Sequence, residues 1–247
     1  MADNNITKLK KEFKRIKDLG WIKSVRKDQG GIGVTFEQLI GVQENSLEIP
    51  DFGDIEIKTK RAYSKSYTGL FNCTPTGPHY HEVERLKNKF GYPDRDLKKY
   101  NVLNTSVCTI EKQKVGMNFY FKISVDRKQE KIFLHIFDKY GNLIENFVYW
   151  DFDILEEKLF RKLKKLAMIK ALVKRINKEE YFKYFDLKIY ELKSFNKFIE
   201  LLEKGIIRIT FKIGIYKSGN KIGKICDHGT SFNIKENDLH LLYDLVE

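Results

Sequence analysis

The pattern of the chain predicts an α+β fold, with a mixed β-sheet and helices outside it. Three observations carry this. Helical periodicity recurs between strand runs, the stretch from about residue 102 is strand-rich, and no segment repeats or loses complexity. At the N-terminus Ile6, Leu9, Phe13, Ile16 and Leu19 recur at helical spacing, and Gly20 supplies a stop. The opposite face carries Lys8, Lys10, Lys11, Lys14 and Lys17, a solvated face. A turn follows at Gly30, Gly31, Ile32 and Gly33, and Thr35 with Gln38 reads as a capping box opening a short helix through Ile40. After Pro50 the period changes. Ile55 and Ile57 alternate with Asp54, Glu56, Lys58 and Lys60, the signature of a strand with one apolar face.

Leu70 to Thr74 reads as a second strand ended by Pro75 and Pro78, and His81 to Phe90 as a helix closed by Gly91. Met117–Val125, Lys131–Asp138 and Leu143–Tyr149 form a meander with turns at Asp126 and at Tyr140-Gly141-Asn142. Asp151 or Asp153 caps a helix carrying Leu155, Leu159, Leu163 and Leu166. Strands are expected near 168–175 and 181–190. Ser194 then caps a helix that stops at Gly205, Ile206–Ile215 is a strand, and Lys217–Lys224 is a basic, Gly-containing loop. A short strand at Thr230–Ile234 and a final helix from about 235 complete the pattern. Residues 1–247 are expected to form one unit of two lobes dividing between 91 and 104, near 95, so that about 1–95 and about 96–247 are the two parts.

Hydrophobic residues make up 42% of the 247, enough for a sizeable core. Lys and Arg number 46 against 34 Asp and Glu, a net charge of +12 that favours a polyanionic partner. Cys73, Cys108 and Cys226 are far apart, and with no CxxC pair they indicate neither a zinc ribbon nor a disulfide framework. His79 and His81 follow prolines in a loop without further ligands at zinc spacing. No apolar leader precedes the first helix, and no run approaches the ~18 apolar residues of a membrane helix. A reducing cytoplasm is the expected compartment.

The residues that carry chemistry lie between Pro50 and Lys58. Glu56 and Lys58 are two apart on a strand and leave the same face. Asp51 lies just before, where Pro50 restricts the turn and Gly53 permits a bend that returns its carboxylate to Glu56. Two carboxylates make a hard-cation site suited to Mg²⁺. An ammonium at Lys58 can hold an attacking water and stabilise developing negative charge, as phosphodiester hydrolysis requires. Alternating charges on an edge strand are also ordinary, so the triplet alone is a weak signal. Glu37, on the helix upstream, is a candidate for assistance or for a plain surface carboxylate. Lys23, Arg26 and Lys27, with Lys60 and Arg61 after the strand, are candidate phosphate contacts, which position a nucleic acid without reading it. No aromatic stacking motif of the RNA-recognition kind is present.

Gly31-Ile32-Gly33, Thr35-Phe36-Glu37 and Leu39-Ile40, followed by Pro50-Asp51-Phe52 and Asp54-Ile55-Glu56-Ile57-Lys58-Thr59, resemble the MvaI/BcnI-type restriction endonucleases, relatives of the mismatch-repair nicking nuclease MutH. Similar matches occur in order at Trp21, Leu70-Phe71, Pro75 and Pro78, Phe137-Asp138-Lys139, Val148-Tyr149-Trp150, Ile213-Gly214 with Ser218-Gly219, and Asp227-His228-Gly229-Thr230. The resemblance implies a MutH-like PD-(D/E)xK core in two lobes around a DNA-binding cleft, the first catalytic and the second reading DNA. It implies a catalytic set of Asp51, Glu56, Lys58 and Glu37. Mg²⁺, replaceable by Mn²⁺, would sit on Asp51, Glu56 and the Ile57 backbone carbonyl. It also implies a monomer that cuts double-stranded DNA one strand after the other, at a short target of the CC-N-GG kind, with a DNA methyltransferase as genetic partner. Asp227, His228, Thr230, Asn233, Lys212, Thr210, Tyr216, Lys217, Lys221 and Lys224 are the base- and phosphate-contacting candidates, with Lys27 and Lys60. Thr210-Phe211-Lys212 and Phe232-Asn233 depart from the Asp-x-Arg and Phe-Arg of the family pattern, so the exact target does not transfer. A MutH-like nickase and a non-catalytic DNA-binding protein are the alternatives.

Overall fold

The computed structural model describes residues 2–42 and 49–246. The elements run α1 (Ala2–Asp18), β1 (Ile22–Lys23), α2 (Gly31–Leu39), β2 (Ile55–Arg61), β3 (Thr68–Asn72), α3 (Glu82–Phe90), β4 (Tyr92–Pro93), β5 (Asn101–Val107), β6 (Gln113–Val115), β7 (Phe119–Asp126), β8 (Lys131–Asp138), β9 (Leu143–Asp151), α4 (Phe152–Leu163), β10 (Lys165–Ile176), β11 (Glu179–Leu192), α5 (Phe195–Glu203), β12 (Arg208–Ile215), β13 (Ile225–Ile234), α6 (Leu239–Leu242) and β14 (Tyr243–Leu245). The α+β class is as expected. Ser194 caps α5 by accepting from the Lys197 amide at 3.1 Å, and the β7–β9 meander pairs antiparallel throughout.

The chain folds as two compact units that are discontinuous in sequence. The first comprises Met1–Ser66, Lys158–Lys193 and His240–Glu247, and the second Tyr67–Glu157 and Ser194–Leu239. A single break near residue 95 is therefore not where the chain divides. The reason is a long-range pairing that local periodicity cannot reveal. β2 lies parallel to β10, with Glu56 beside Leu166 and Lys58 beside Met168.

In the first unit the sheet order is β1-β11-β10-β2, with β14 added to β11. Leu9, Phe13 and Ile16 of α1 and Ile32 and Phe36 of α2 cover one face, packing on Ile55, Ile57, Ile169, Phe182 and Tyr184. Leu19, expected on that apolar stripe, is instead exposed. The capping-box reading of Thr35 and Gln38 also fails. α2 begins four residues earlier, at Gly31, where an added Cβ would lie 2.5 Å from Ser24 Oγ. The close approach demands glycine at that first position, and Thr35 is buried inside the helix, accepting from the Val25 amide at 3.2 Å.

The second unit stacks two sheets, β3-β13-β12-β5-β4 and β6-β7-β8-β9. Phe121 and Trp150 from one meet Phe211 and Phe232 from the other, and Ile123, Leu134 and Val148 are fully buried with them. Trp150 satisfies its indole N–H on the Cys73 carbonyl at 2.9 Å. The strand expected at Thr230–Ile234 begins five residues earlier. The expected final helix is the short α6, which gives way to β14 because Tyr243–Leu245 pairs with β11.

Phe36 has no exposed surface and packs at a tilt against Phe13 and edge-on against Tyr184. Phe36→Ala is expected to cost about 3–5 kcal/mol of unfolding free energy. A urea titration tests this, and a loss below about 1 kcal/mol would show that the cluster does not hold the first unit together.

Candidate active site

Among the described residues β2 is an edge strand, paired to β10 on one side. Its approach is a tight turn in which Phe52 and Ile55 exchange both backbone hydrogen bonds at 3.0 Å, with Gly53 at φ +62. Asp54 pins that turn by accepting from Asn5 Nδ2 at 2.9 Å and Lys165 Nζ at 2.8 Å. The turn folds Asp51 back along the strand, where its Oδ2 accepts from the Ile57 amide at 2.9 Å. Along a strand the N–H and C=O of one residue point to the same side, so the Ile57 carbonyl shares this unpaired edge with the Asp51 carboxylate.

Glu56 and Lys58 leave the sheet face opposite to the one covered by α1 and α2. Glu56 is only 1% exposed. Its Oε1 accepts from Lys58 Nζ at 2.5 Å, and Lys162 Nζ, from α4, lies 3.4 Å away. Among the described residues its Oε2 is buried without a hydrogen-bond partner. Burial raises the Glu56 pKa, and the like charge of Asp51 adds to that rise, while Lys58 and Lys162 oppose it. Tyr243 of β14, also fully enclosed and without a partner for its hydroxyl, is held un-ionised by burial and by the charge of Glu56. Lys162 and Tyr243 escaped the sequence reading. Neither has a local motif, and both arrive from distant segments.

An orphaned carboxylate oxygen, a second carboxylate and a free-edge carbonyl are hard oxygen donors, and they fit a Mg²⁺-sized cation completed by water and substrate oxygens. Among the described residues no group of three or more His, Cys, Asp or Glu side chains is arranged to hold an ion. Glu37 accordingly does not complete a three-carboxylate cluster. It lies on the α2 side of β2, where the space at Gly33 is bounded by Thr59 Oγ1 and Glu37 Oε1. Its charge is felt by Tyr184, whose hydroxyl donates to the Ile32 carbonyl at 2.7 Å.

The other candidates separate into exposed and enclosed groups. Between the register pairs Phe211–Thr230 and Ile213–Asp227, β12 has one residue, Lys212, and β13 has two, His228 and Gly229. That is a β-bulge, with Gly229 at φ +93, and it sets exposed His228 and Lys212 opposite one another. Asp227 Oδ1 braces the bulge by accepting from the Gly229 amide at 2.7 Å. Exposed Asn72 on β3 packs against Gly229, a neighbour that sequence reading did not single out. Tyr216, Lys221 and Lys224 are exposed, with Lys221 Nζ 5.4 Å from the centre of the Tyr216 ring. Lys217 is exposed but paired with Asp96 at 2.6 Å and Asp94 at 3.3 Å.

Four candidates do not present themselves to a ligand. Thr230 is fully buried, because its side chain lies on the core face of β13. Asn233 is 5% exposed and donates to Ser231 O at 2.7 Å and Thr210 Oγ1 at 3.0 Å. Thr210 in turn bonds Ser106 Oγ at 3.0 Å, so this row is an internal network. Lys60 is buried and donates to the Ser66 carbonyl at 2.7 Å. Lys27 is exposed, whereas Lys23, Arg26 and Arg61 pair with Glu179, Asp28 and Glu180 at 2.7, 2.6 and 2.9 Å. His79 and His81 pack against Phe147 and Tyr80 rather than around an ion.

Asp51 folded back against an edge strand that carries Glu56 and Lys58 has the groups that phosphodiester hydrolysis calls for, and comparison with known proteins specifies the class as type II, site-specific DNA endonucleases. The profile of the MvaI/BcnI restriction endonuclease family matches residues 10–243, and the chain belongs to that family. A solved restriction endonuclease MvaI–cognate DNA substrate complex is 36% identical, with 96% of this chain and 95% of that one covered and a TM-score of 0.89. MvaI in the absence of DNA is also 36% identical, covering 98% and 96%, with a TM-score of 0.63. Comparison with curated protein sequences gave no significant match.

Because folding raises the proton affinity of Glu56, the sign of its pH effect is fixed. Protonated, below the ordinary carboxyl range, the group favours the fold, and that contribution is lost as pH rises through the raised folded value. At neutral pH the ionised carboxylate costs stability. Glu56→Gln in EDTA is therefore expected to unfold at higher urea than the parent near neutral pH, with the advantage vanishing near about pH 4. Equal midpoints across that range would contradict the burial argument.

Proposed function

We propose that this chain is a Mg²⁺-dependent restriction endonuclease of the MutH-like PD-(D/E)xK kind. It hydrolyses double-stranded DNA at a short, pseudo-palindromic site of the CC-N-GG kind, leaving 5′-phosphate and 3′-hydroxyl ends. The observation that carries the reading is the free-edge grouping of Asp51 and Glu56, with Lys58 on the buried carboxylate and Glu56 Oε2 left without a partner. Family membership and the likeness to MvaI bound to its cognate DNA support duplex DNA as the substrate.

Asp51, Glu56 and the Ile57 carbonyl would hold the ion, with Mn²⁺ as a substitute. Bound there, Mg²⁺ supplies neutralising charge to the scissile phosphate and to the departing 3′-oxygen. Lys58 orients the attacking water and stabilises negative charge as it develops. Glu37 assists from the α2 side. His228, Lys212 and Asp227 at the bulge read base edges, with Tyr216, Lys221 and Lys224 beside them and Lys27 on phosphate. The first unit would then be catalytic and the second the reader, in the DNA-clamping, two-lobed manner of MutH-like nucleases. The enzyme works as a monomer that cuts the two strands in succession, in the cytoplasm, where a DNA methyltransferase of the same specificity protects the host.

Plasmid DNA of known, unmethylated sequence should be cut at discrete sites in Mg²⁺ and left intact in Ca²⁺ or EDTA, and end sequencing gives the target. Lys58→Ala should slow turnover by about a hundredfold or more; a rate near that of the parent would remove the role given to Lys58. Nicked circles alone would instead indicate a strand-nicking enzyme. His228→Ala should cut the target more slowly, with discrimination against one-base variants reduced about tenfold. Unchanged rate and selectivity would withdraw His228 from base reading.

A further inference from the structure

The outer face of the β6-β7-β8-β9 sheet takes no part in the site described above. β7 and β8 are its central strands. Ile132, Leu134 and Ile136 of β8 point inward and are fully buried. The pleat therefore turns Phe133, His135 and Phe137 outward, and all three are half-exposed. On β7, Ser124 stands beside Phe133 and Lys122 beside His135. On β9, Tyr149 stands beside Phe133, with ring centres 6.1 Å apart. An open trough of about 910 Å³ lies over this face, walled by Phe133, His135, Phe147, Tyr149, Lys131 and Arg127.

The charges on this face suit a polyanion that also carries rings. Lys131 Nζ lies 3.7 Å from the centre of the Tyr149 ring and Lys112 Nζ 3.6 Å from that of Phe137. Of the acids at the rim, Glu203 pairs with Arg127 at 2.6 Å and Asp151 with Lys131 at 3.6 Å, and Asp126 accepts from the Lys128 and Gln129 amides at 2.9 and 3.0 Å. His135 is fixed by Ser124 Oγ, 2.6 Å from its Nε2, and burial together with Lys122 lowers its pKa, which keeps the imidazole neutral and able to stack.

We propose that this face is a stacking platform for single-stranded DNA, separate from the cleavage site. Alternate residues of a strand are about 6.8 Å apart. That is twice the 3.4 Å step of stacked bases along a DNA strand. Successive rings of β8 thus match bases that have been pulled apart, as in an unstacked single strand, while a duplex hides its base faces. Central-strand aromatics flanked by lysines on an antiparallel sheet are the general means by which proteins hold single strands. The lysine stems are flexible enough to leave the rings and follow the phosphates.

The test is fluorescence anisotropy with a short labelled oligothymidine in EDTA, using the full chain. The parent should bind, and Phe133→Ala combined with Phe137→Ala should weaken binding about tenfold or more, while cleavage of duplex plasmid in Mg²⁺ stays at the parental rate. An equal loss of binding to a duplex lacking the target would make the face a plain phosphate contact and overturn the proposal. So would oligothymidine binding that the double variant leaves unchanged, or tighter binding of oligouridine or polyglutamate. If the double variant does not fold, Lys122→Glu serves instead. It should weaken oligothymidine binding several-fold and leave duplex cleavage unchanged, and no effect on oligothymidine would count against the platform.

Discussion

The parallel pairing of β2 with β10 governs the rest of the molecule. It fixes one edge of β2 and leaves the other unpaired, and the unpaired edge is where the Ile57 amide meets Asp51. The same register aligns Glu56 with Leu166, so its side chain leaves into the enclosed space beneath α4 and β14. Parallel strands cannot be joined by a hairpin and require a crossover. Here the crossover runs from β2 to β10 and contains most of the second unit.

The first unit concentrates its electrostatic cost at one atom group. Burying a carboxylate is expensive unless it is paired and hydrogen-bonded. Glu56 meets that condition at Oε1, through Lys58 and Lys162, and fails it at Oε2. A buried carboxylate oxygen left without a partner beside a second carboxylate is what a site built for a cation requires, and it marks where stability has been exchanged for chemistry.

Much of this was legible in the sequence because it is local. The period-two alternation around Ile55 and Ile57, the turn chemistry of Pro50 and Gly53 and the Ser194 cap each depend on a few neighbouring residues, and each lies where expected. The parts that were not legible depend on tertiary contact. The first position of α2 demands Gly31 because Ser24 and Arg26 crowd it, which no capping pattern reveals. Lys162 and Tyr243 reach Glu56 from segments far along the chain. Thr230 and Asn233 carry polar side chains in a motif that points to ligand contact, yet the pleat of β13 and the Ser231–Thr210 network turn them inward. The outward ladder of Phe133, His135 and Phe137 was hidden because the intervening positions are apolar too, so no alternation of hydrophobicity shows in β8.

The three-part construction of the first unit also constrains how the chain folds. β2 cannot complete its sheet until β10 has been made, and the surroundings of Glu56 are not closed until Tyr243 of β14 is in place. Contacts of such sequence separation are slow to form, because loop closure must precede any gain from pairing. The second unit needs only two stretches, and the meander of β7, β8 and β9 within it is wholly local. During synthesis the meander can therefore settle first, and the enclosure of Glu56 is completed last.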